Sequence, residues 1–393
     1  MLSASVAQAQ PATPEPTISL LTMEPGDALW ERFGHTAIRV RDGFRDGLFS
    51  YGAAPFLDPR FMWAFARGEG RFFVVVERFE KSIARYQLSD RTVQQQELKL
   101  PAHAKRALMA KLIANTRPPN NRYLYDQLYD NCATRLRDLI DEASQGALTR
   151  AAALRHPNRR FRDYTLEAMA GHPVGHWALD LLGSAHQDLP VDGYKEMYLP
   201  VFLRDRLAEA RIVRDGKSVP LAGPIEVLYQ RRAGPALSGR PNAARYVMLT
   251  LMTLLVGLVV AARFAGRLQR ASAYAIASLS VWSGLFGLLV LPMTLLSRVQ
   301  NFSPNENALL FLPFDLLFTR QLYRAALGQP ASRRLRVYLG LRLALWMYAV
   351  VFKLAGALPQ QNVTFLLLAT GFLLSALSVT MRAPGTKAAA ARA

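Results

Sequence analysis

Residues 271–297 read ASAYAIASLSVWSGLFGLLVLPMTLLS, a stretch without a charged side chain. A helix needs about 20 apolar residues to cross the hydrocarbon core of a bilayer, so this stretch predicts a membrane span. Residues 246–262 and 363–381 are also uncharged and apolar. They predict two further spans.

Two more segments are apolar but interrupted. Residues 337–357 contain Arg342 and Lys353, and residues 307–323 contain Pro313 and Asp315. The latter segment predicts either a span or a re-entrant segment. Cytoplasmic loops carry an excess of Lys and Arg, and basic loops alternate with poorly charged loops only when five spans are present. We therefore expect about five helices over residues 241–382, followed by a cytoplasmic tail at 383–393.

The distribution of charge supports a membrane protein. The chain has 48 Lys and Arg against 29 Asp and Glu, a net charge of +19. Residues 241–393 hold only two acidic side chains, Glu306 and Asp315. A nucleic-acid-binding domain places its basic side chains on a polar face, whereas here they flank apolar segments. The sequence predicts a multi-pass protein of the bacterial inner membrane with residues 1–240 on the periplasmic side, and it excludes nucleic acid as a partner.

The N-terminal part predicts an exported α+β domain. Residues 6–9 (VAQA) are similar to a signal-peptidase site, and residues 10–17 are rich in proline. Residues 1–17 are therefore expected to be a signal-like, flexible leader. Residues 18–240 alternate strand-like and helix-like segments, with Asp-Gly pairs at 42–43 and 46–47 that favour hairpins. This stretch is the expected extracytoplasmic catalytic domain.

Cys132 is the only cysteine, which excludes an internal disulfide. It follows Asn131, a favoured N-cap residue, and precedes a helical pattern through Leu136 and Ile140. Backbone N–H groups in the first turn lower the pKa of a thiol and bind an oxyanion. His35 begins a predicted strand and is the candidate base. The alternative interpretation is a small buried cysteine and a histidine of the core.

A nucleophile and base of this kind need a third group that orients the histidine. The candidates are Tyr51, Glu31 and Asp130, and Tyr51 ranks first because its strand is expected to neighbour that of His35. No metal-ligand cluster, phosphate loop or dinucleotide motif is visible in the sequence. We therefore predict no metal and no cofactor.

Several motifs are similar to those of the Lnb family, the Bacteroides-type lipoprotein N-acyltransferases. They are WERFGHTAIRV (30–40), YG (51–52), RYLYD (122–126), NCATRLRD (131–138), MYLP (197–200) and NENALLFLP (305–313). The resemblance covers most of residues 18–380, and it implies that Cys132 and His35 are catalytic, with Asn131 in the oxyanion region. The order of histidine before cysteine is also similar to the permuted papain-like acyltransferases. That likeness implies an α+β papain-like (permuted, NlpC-like) domain ahead of an α-helical transmembrane bundle.

The resemblance also implies an activity. An acyl chain would move from a membrane phospholipid, through a thioester on Cys132, to the N-terminal amine of a diacylglyceryl-lipoprotein. The implied partners are the phospholipid donor, the lipoprotein acceptor and the bilayer, and the chain is expected to be a monomer. Lys353 is a candidate lipid contact, and Asp315 is expected to pair with Arg342. Two alternatives remain: a membrane-tethered papain-like cysteine peptidase or amidase of the cell wall, and a non-catalytic membrane assembly factor.

Overall fold

The computed structural model describes residues 15–43, 45–234, 236, 244–262 and 264–381. The predicted cytoplasmic tail lies outside these residues, as does the predicted leader apart from its last three positions. The strands are β1 (Thr17–Met23), β2 (His35–Asp42), β3 (Arg45–Ala53), β4 (Arg71–Arg78), β5 (Val93–Glu97), β6 (Arg122–Leu124), β7 (Arg159–Arg160), β8 (Pro190–Val191), β9 (Arg211–Arg214), β10 (Lys217–Pro220) and β11 (Glu226–Tyr229).

Fifteen α-helices accompany these strands in the described part of the chain. They are α1 (Pro59–Ala66), α2 (Phe79–Leu88), α3 (Ala102–Asn115), α4 (Cys132–Ala143), α5 (Ala147–Ala152), α6 (Phe161–Ala168), α7 (Pro173–Leu182), α8 (Gly193–Glu196), α9 (Pro200–Glu209), α10 (Ala244–Ala261), α11 (Gln269–Leu296), α12 (Asn307–Leu310), α13 (Asp315–Ala326), α14 (Arg333–Leu354) and α15 (Val363–Thr380). Short 3₁₀ turns lie at Leu29–Glu31, Ala185–Asp188 and Gly266–Leu268.

The described residues form two compact units that interleave along the chain. The first unit comprises Met1–Pro55, Arg71–Pro157 and Asp192–Ala236. The second comprises Phe56–Gly70, Asn158–Val191 and Leu237–Ala393. The predicted domains are contiguous, with a boundary at residue 240, whereas two stretches from before that boundary belong to the unit that contains the apolar helices.

The first unit is built on an antiparallel seven-stranded sheet in the order β11-β5-β1-β2-β3-β4-β6. The strand β1 is buried from Ile18 to Met23, so both faces of the sheet are covered at its centre. The expected hairpin at 42–43 joins β2 to β3, and Gly43 has the positive φ of 56° that such a turn favours. The second Asp-Gly pair is not a turn, because Asp46 and Gly47 pair with β2 inside β3. The α+β class is confirmed for this unit.

The second unit contains three helices that are long and apolar enough to cross a membrane, among the described residues. They lie within Gly266–Leu296, Arg333–Leu354 and Val363–Thr380, and Tyr246–Ala261 is a shorter apolar helix. Residues 307–323 do not form one continuous helix. The helix α12 ends at Leu310 and α13 begins at Asp315, with Pro313 between them. Twelve residues of α13 extend over about 18 Å, which is less than the roughly 30 Å of a hydrocarbon core.

Residues 158–191 belong to this unit because their apolar side chains pack among its helices. Leu181 of α7 is fully buried in a cluster with Phe286 and Phe365. The ring of Trp177 lies with its centroid 4.5 Å from that of Phe286. The sequence of α7 is amphipathic, not continuously apolar. For that reason the sequence did not predict that α7 would pack with the apolar helices.

The two ionisable side chains that interrupt the apolar stretch 337–357, Arg342 and Lys353, are each paired with a carboxylate within the unit. The Arg342 guanidinium lies 3.2 Å from the Asp315 carboxylate, which confirms the expected pair. The ammonium of Lys353 donates to the Glu306 carboxylate at 2.8 Å and to the carbonyls of Leu358 and Gln360 at 3.1 and 2.7 Å. These three bonds match the three ammonium donors and anchor Lys353 within the unit. The lipid contact of Lys353 stays a prediction.

Candidate active site

Cys132 is the first residue of α4, in the first unit. The side-chain oxygen of Asn131 accepts hydrogen bonds from the backbone N–H groups of Ala133 and Thr134, at 2.7 and 2.9 Å. Its amide nitrogen donates to the carbonyls of Gln127 and Tyr198. Asn131 is therefore the N-cap, as the sequence predicts, and its four hydrogen bonds fix the backbone on which the thiol is placed.

Three backbone N–H groups are near enough to the Cys132 sulfur to favour its thiolate form. Those of Cys132 and Ala133 come from the helix, and the third belongs to Thr36 on β2. Pairing of β2 with β3 starts at Ala37, so the Thr36 N–H lies just beyond the ladder between these strands. The beginning of the helix and the beginning of the histidine-bearing strand thus meet at the sulfur.

The pKa of Cys132 is raised to about 11, contrary to the expectation from its position in a helix. The cause is burial, which penalises the thiolate. The three N–H groups and the charge of Arg91 act in the expected, opposite direction, but their effect is smaller. The resting side chain is a thiol.

His35 is held as a neutral imidazole. Burial lowers its pKa to about 3, and the positive charges of Arg91 and Arg85 lower it further in the same direction. The ring atom Nε2 lies 2.7 Å from the Ser50 hydroxyl. When Nε2 carries the proton and donates it to Ser50, Nδ1 is left as the acceptor that a general base needs.

Ser50 is the residue that contacts His35, whereas the sequence predicted its neighbour Tyr51. It lies opposite Ala37 in the β2–β3 ladder, which places its side chain on the same sheet face as His35. Tyr51 therefore projects to the other face, where Asn115 donates a hydrogen bond to its hydroxyl at 2.8 Å. Only the register of the two strands distinguishes these neighbours, and the sequence leaves that register open.

The other two candidate orienting residues contact arginines. Glu31 pairs with Arg91 at 3.5 Å, and Asp130 holds Arg135 through two bonds at 2.6 and 2.8 Å. Arg91 is almost fully buried, and its Nη2 has no partner among the described residues. Glu31 thus anchors the cation whose charge affects both His35 and Cys132.

Tyr123 carries a further polar group beside the cysteine. Its side chain is 5% exposed, and its hydroxyl has no hydrogen-bond partner among the described residues. The hydroxyl is 3.7 Å, and the Cys132 Cβ 4.0 Å, from the point where a Cβ of Gly52 would lie. Arg135 covers the Tyr123 ring, with its guanidinium carbon 3.7 Å from the ring centroid.

Gly52 makes this arrangement possible through its backbone. Its φ of 95° lies in the region that glycine tolerates and other residues rarely adopt. The β3–β4 register shifts between Tyr51 and Ala53, so Gly52 is at an irregularity of the strand. The site therefore combines a thiol among backbone donors, a neutral histidine bonded to a serine, and a phenol hydroxyl that has no partner in the described part of the chain.

Comparison with known proteins gives one match. Residues 4–166 match the family model of the Lnb N-terminal periplasmic domain. This confirms the resemblance over the part of the chain that contains both Cys132 and His35. No curated protein and no solved structure matches the chain.

Proposed function

We propose that this chain, which belongs over residues 4–166 to the Lnb N-terminal periplasmic domain family and continues into membrane-spanning helices, is an apolipoprotein N-acyltransferase. The observation that carries the proposal is the Cys132 sulfur at a capped helix start, facing the N–H next to His35. A thiol suits acyl transfer because it is both a good nucleophile and a good leaving group. The permuted papain-like relationship is part of the same proposal.

In the first half-reaction, Cys132 attacks the carbonyl carbon of a phospholipid acyl ester. His35 accepts the thiol proton as the sulfur–carbon bond forms, so no preformed thiolate is required. The carbonyl oxygen becomes an oxyanion, for which the backbone N–H groups of Cys132 and Thr36 and the Tyr123 hydroxyl are the available donors, because the Ala133 N–H is held by the Asn131 cap. The ester carbon–oxygen bond then breaks, and the lysophospholipid oxygen takes the proton from His35.

In the second half-reaction, the N-terminal amine of a diacylglyceryl-lipoprotein attacks the thioester. His35 accepts a proton from the amine nitrogen, the carbon–sulfur bond breaks, and the proton returns to the sulfur. The products are an amide on the lipoprotein and the free thiol. Both substrates are lipids, and the membrane-spanning helices keep the enzyme in the bilayer that contains them.

The test is mass spectrometry of a lipoprotein N-terminus from a host that lacks its own N-acyltransferase. Expression of the wild-type chain is expected to add one amide-linked acyl chain, and Cys132→Ala is expected to add none. Absence of acylation by a well-expressed wild-type protein would contradict the proposal. Cleavage of cell-wall peptide instead would favour the peptidase or amidase alternative.

A further inference from the structure

The segment around α1, in the second unit, exposes large apolar side chains to the surroundings. The relative exposure of Leu57 is 93%, that of Trp63 57% and that of Met62 42%. Phe61, on the other side of the helix, is buried and stacks on Phe65. The helix is thus anchored through one apolar face and presents a second apolar face outward.

The position of α1 relative to a membrane span is set within the same unit. The Arg298 N–H donates to the Arg67 carbonyl, just after α1, at 3.0 Å. A Cβ at Gly68 would lie 3.1 Å from the Val299 nitrogen, so the two backbones are in close contact. Arg298 lies two residues after Leu296, where α11 ends.

The length and composition of α11 predict a boundary between lipid and water at its end. The apolar stretch Gly266–Leu296 is long enough to cross a bilayer, and its last turn exposes Leu295 and Leu296. A segment bonded to the residues that follow this turn lies at the level of the lipid headgroups. Arg60 and Arg298 are exposed at this level, where lipid phosphates accept hydrogen bonds.

We propose that α1 lies in the plane of the membrane interface, with Leu57, Met62 and Trp63 inserted into the leaflet at the C-terminal end of α11. Eight residues extend over about 12 Å, which is too short to span but sufficient for a helix lying along the surface. Interfacial helices bury their apolar face about 5–10 Å into the boundary between headgroups and acyl chains, and tryptophan favours this depth. The exposed apolar face of α1 contacts lipid. This proposal does not depend on the proposed acyl-transfer activity.

The test uses the full chain in liposomes, with Cys132→Ser to leave no other thiol. A nitroxide attached at L57C is expected to collide with dissolved oxygen more readily than with a water-soluble nickel complex. The same label at L285C, in the middle of α11, gives the reference for the lipid core, and a free soluble nitroxide gives the aqueous limit. Nickel accessibility at Leu57 equal to that aqueous limit would overturn the proposal and leave the patch to a protein partner.

A second measurement leaves the cysteine in place. Lipids brominated near the headgroup are expected to quench a component of the tryptophan fluorescence that Trp63→Phe removes. Lipids brominated near the chain ends are expected to quench that component less. If wild type and Trp63→Phe lose the same fraction of their fluorescence to the shallow quencher, Trp63 is not in the interface and the proposal fails.

Discussion

Cys132 shows how two effects on one residue compete. Its place at a helix start supplies the N–H groups that the sequence predicts, yet burial has the larger effect on its pKa. His35 is also neutral at physiological pH, because burial and two arginines oppose its protonation. The pair therefore rests as thiol and imidazole, and in the proposed mechanism the proton moves only when a substrate carbonyl is attacked.

The rest state can be tested through the pH dependence of alkylation. With a pKa of about 11, the thiolate fraction of Cys132 rises about tenfold per pH unit through the neutral range. The rate of its reaction with iodoacetamide should rise accordingly from pH 6 to pH 9. The rate of the first half-reaction, acylation of Cys132 by the phospholipid, should stay level over the same range because His35 keeps its proton-accepting form above about pH 3. Cys132→Ser provides the background. An alkylation rate that levels off below pH 7 would show a preformed thiolate and contradict the account.

The Tyr123 hydroxyl is expected to stabilise the oxyanion. Tyr123→Phe removes only that oxygen and should lower kcat by roughly 10²-fold with little change in KM, as loss of one oxyanion donor does. Steady-state kinetics with a phospholipid donor and a lipopeptide acceptor measure this. Tyr229→Phe is the matched control, because it removes a tyrosine hydroxyl outside the site, one that donates to Asp90. Equal kcat values for Tyr123→Phe and wild type would remove Tyr123 from the mechanism.

Ser50 is expected to position His35 rather than to touch substrate. Ser50→Ala should lower kcat by less than the roughly 10²–10⁴-fold that general acid–base catalysis contributes, because the histidine itself remains. Ser50→Thr keeps the hydroxyl and should restore most of the activity, a rescue that a purely structural defect would not show. If alanine and threonine at this position behave alike, the His35–Ser50 bond has no role in catalysis.

At the scale of single elements, the sequence predicted those that depend on local signals. The cap at Asn131 and the apolar face through Leu136 and Ile140 define α4, and the structure has both. No comparable local signal predicts the structure of residues 307–323. Whether Pro313 ends a helix or bends it depends on neighbouring helices that re-satisfy freed backbone groups, and here the helix breaks.

The N-cap of α4 is expected to contribute both to the stability of the protein and to the position of Cys132. Asn131→Ala removes the two accepted bonds and should lower the free energy of unfolding by about 1–2 kcal/mol, measured by thermal melting in detergent. It should also lower activity, because the sulfur loses its fixed backbone. Asp192→Ala removes the N-cap of α8 and is the control that should lose stability while keeping activity. A fully active Asn131→Ala enzyme would separate the cap from catalysis.

At the scale of the whole molecule, composition and charge predicted a periplasmic α+β domain followed by apolar helices. The family match and the described helices support this order. The sequence did not predict that the two units would interleave along the chain. It depends on packing such as that of Leu181, which brings together residues far apart in the chain. The orientation of the spans and the monomeric state stay predictions.

In the proposed mechanism Cys132 carries the acyl group as a thioester, and trapping that intermediate is the sharpest test of it. Purified protein is incubated with a phospholipid that has an isotopically labelled acyl chain, without acceptor, and the peptide that contains Cys132 is analysed by mass spectrometry. We expect a labelled acyl adduct on Cys132 that hydroxylamine removes and that is absent from His35→Ala. Labelled acyl transfer to a lipopeptide acceptor by Cys132→Ala would contradict the mechanism.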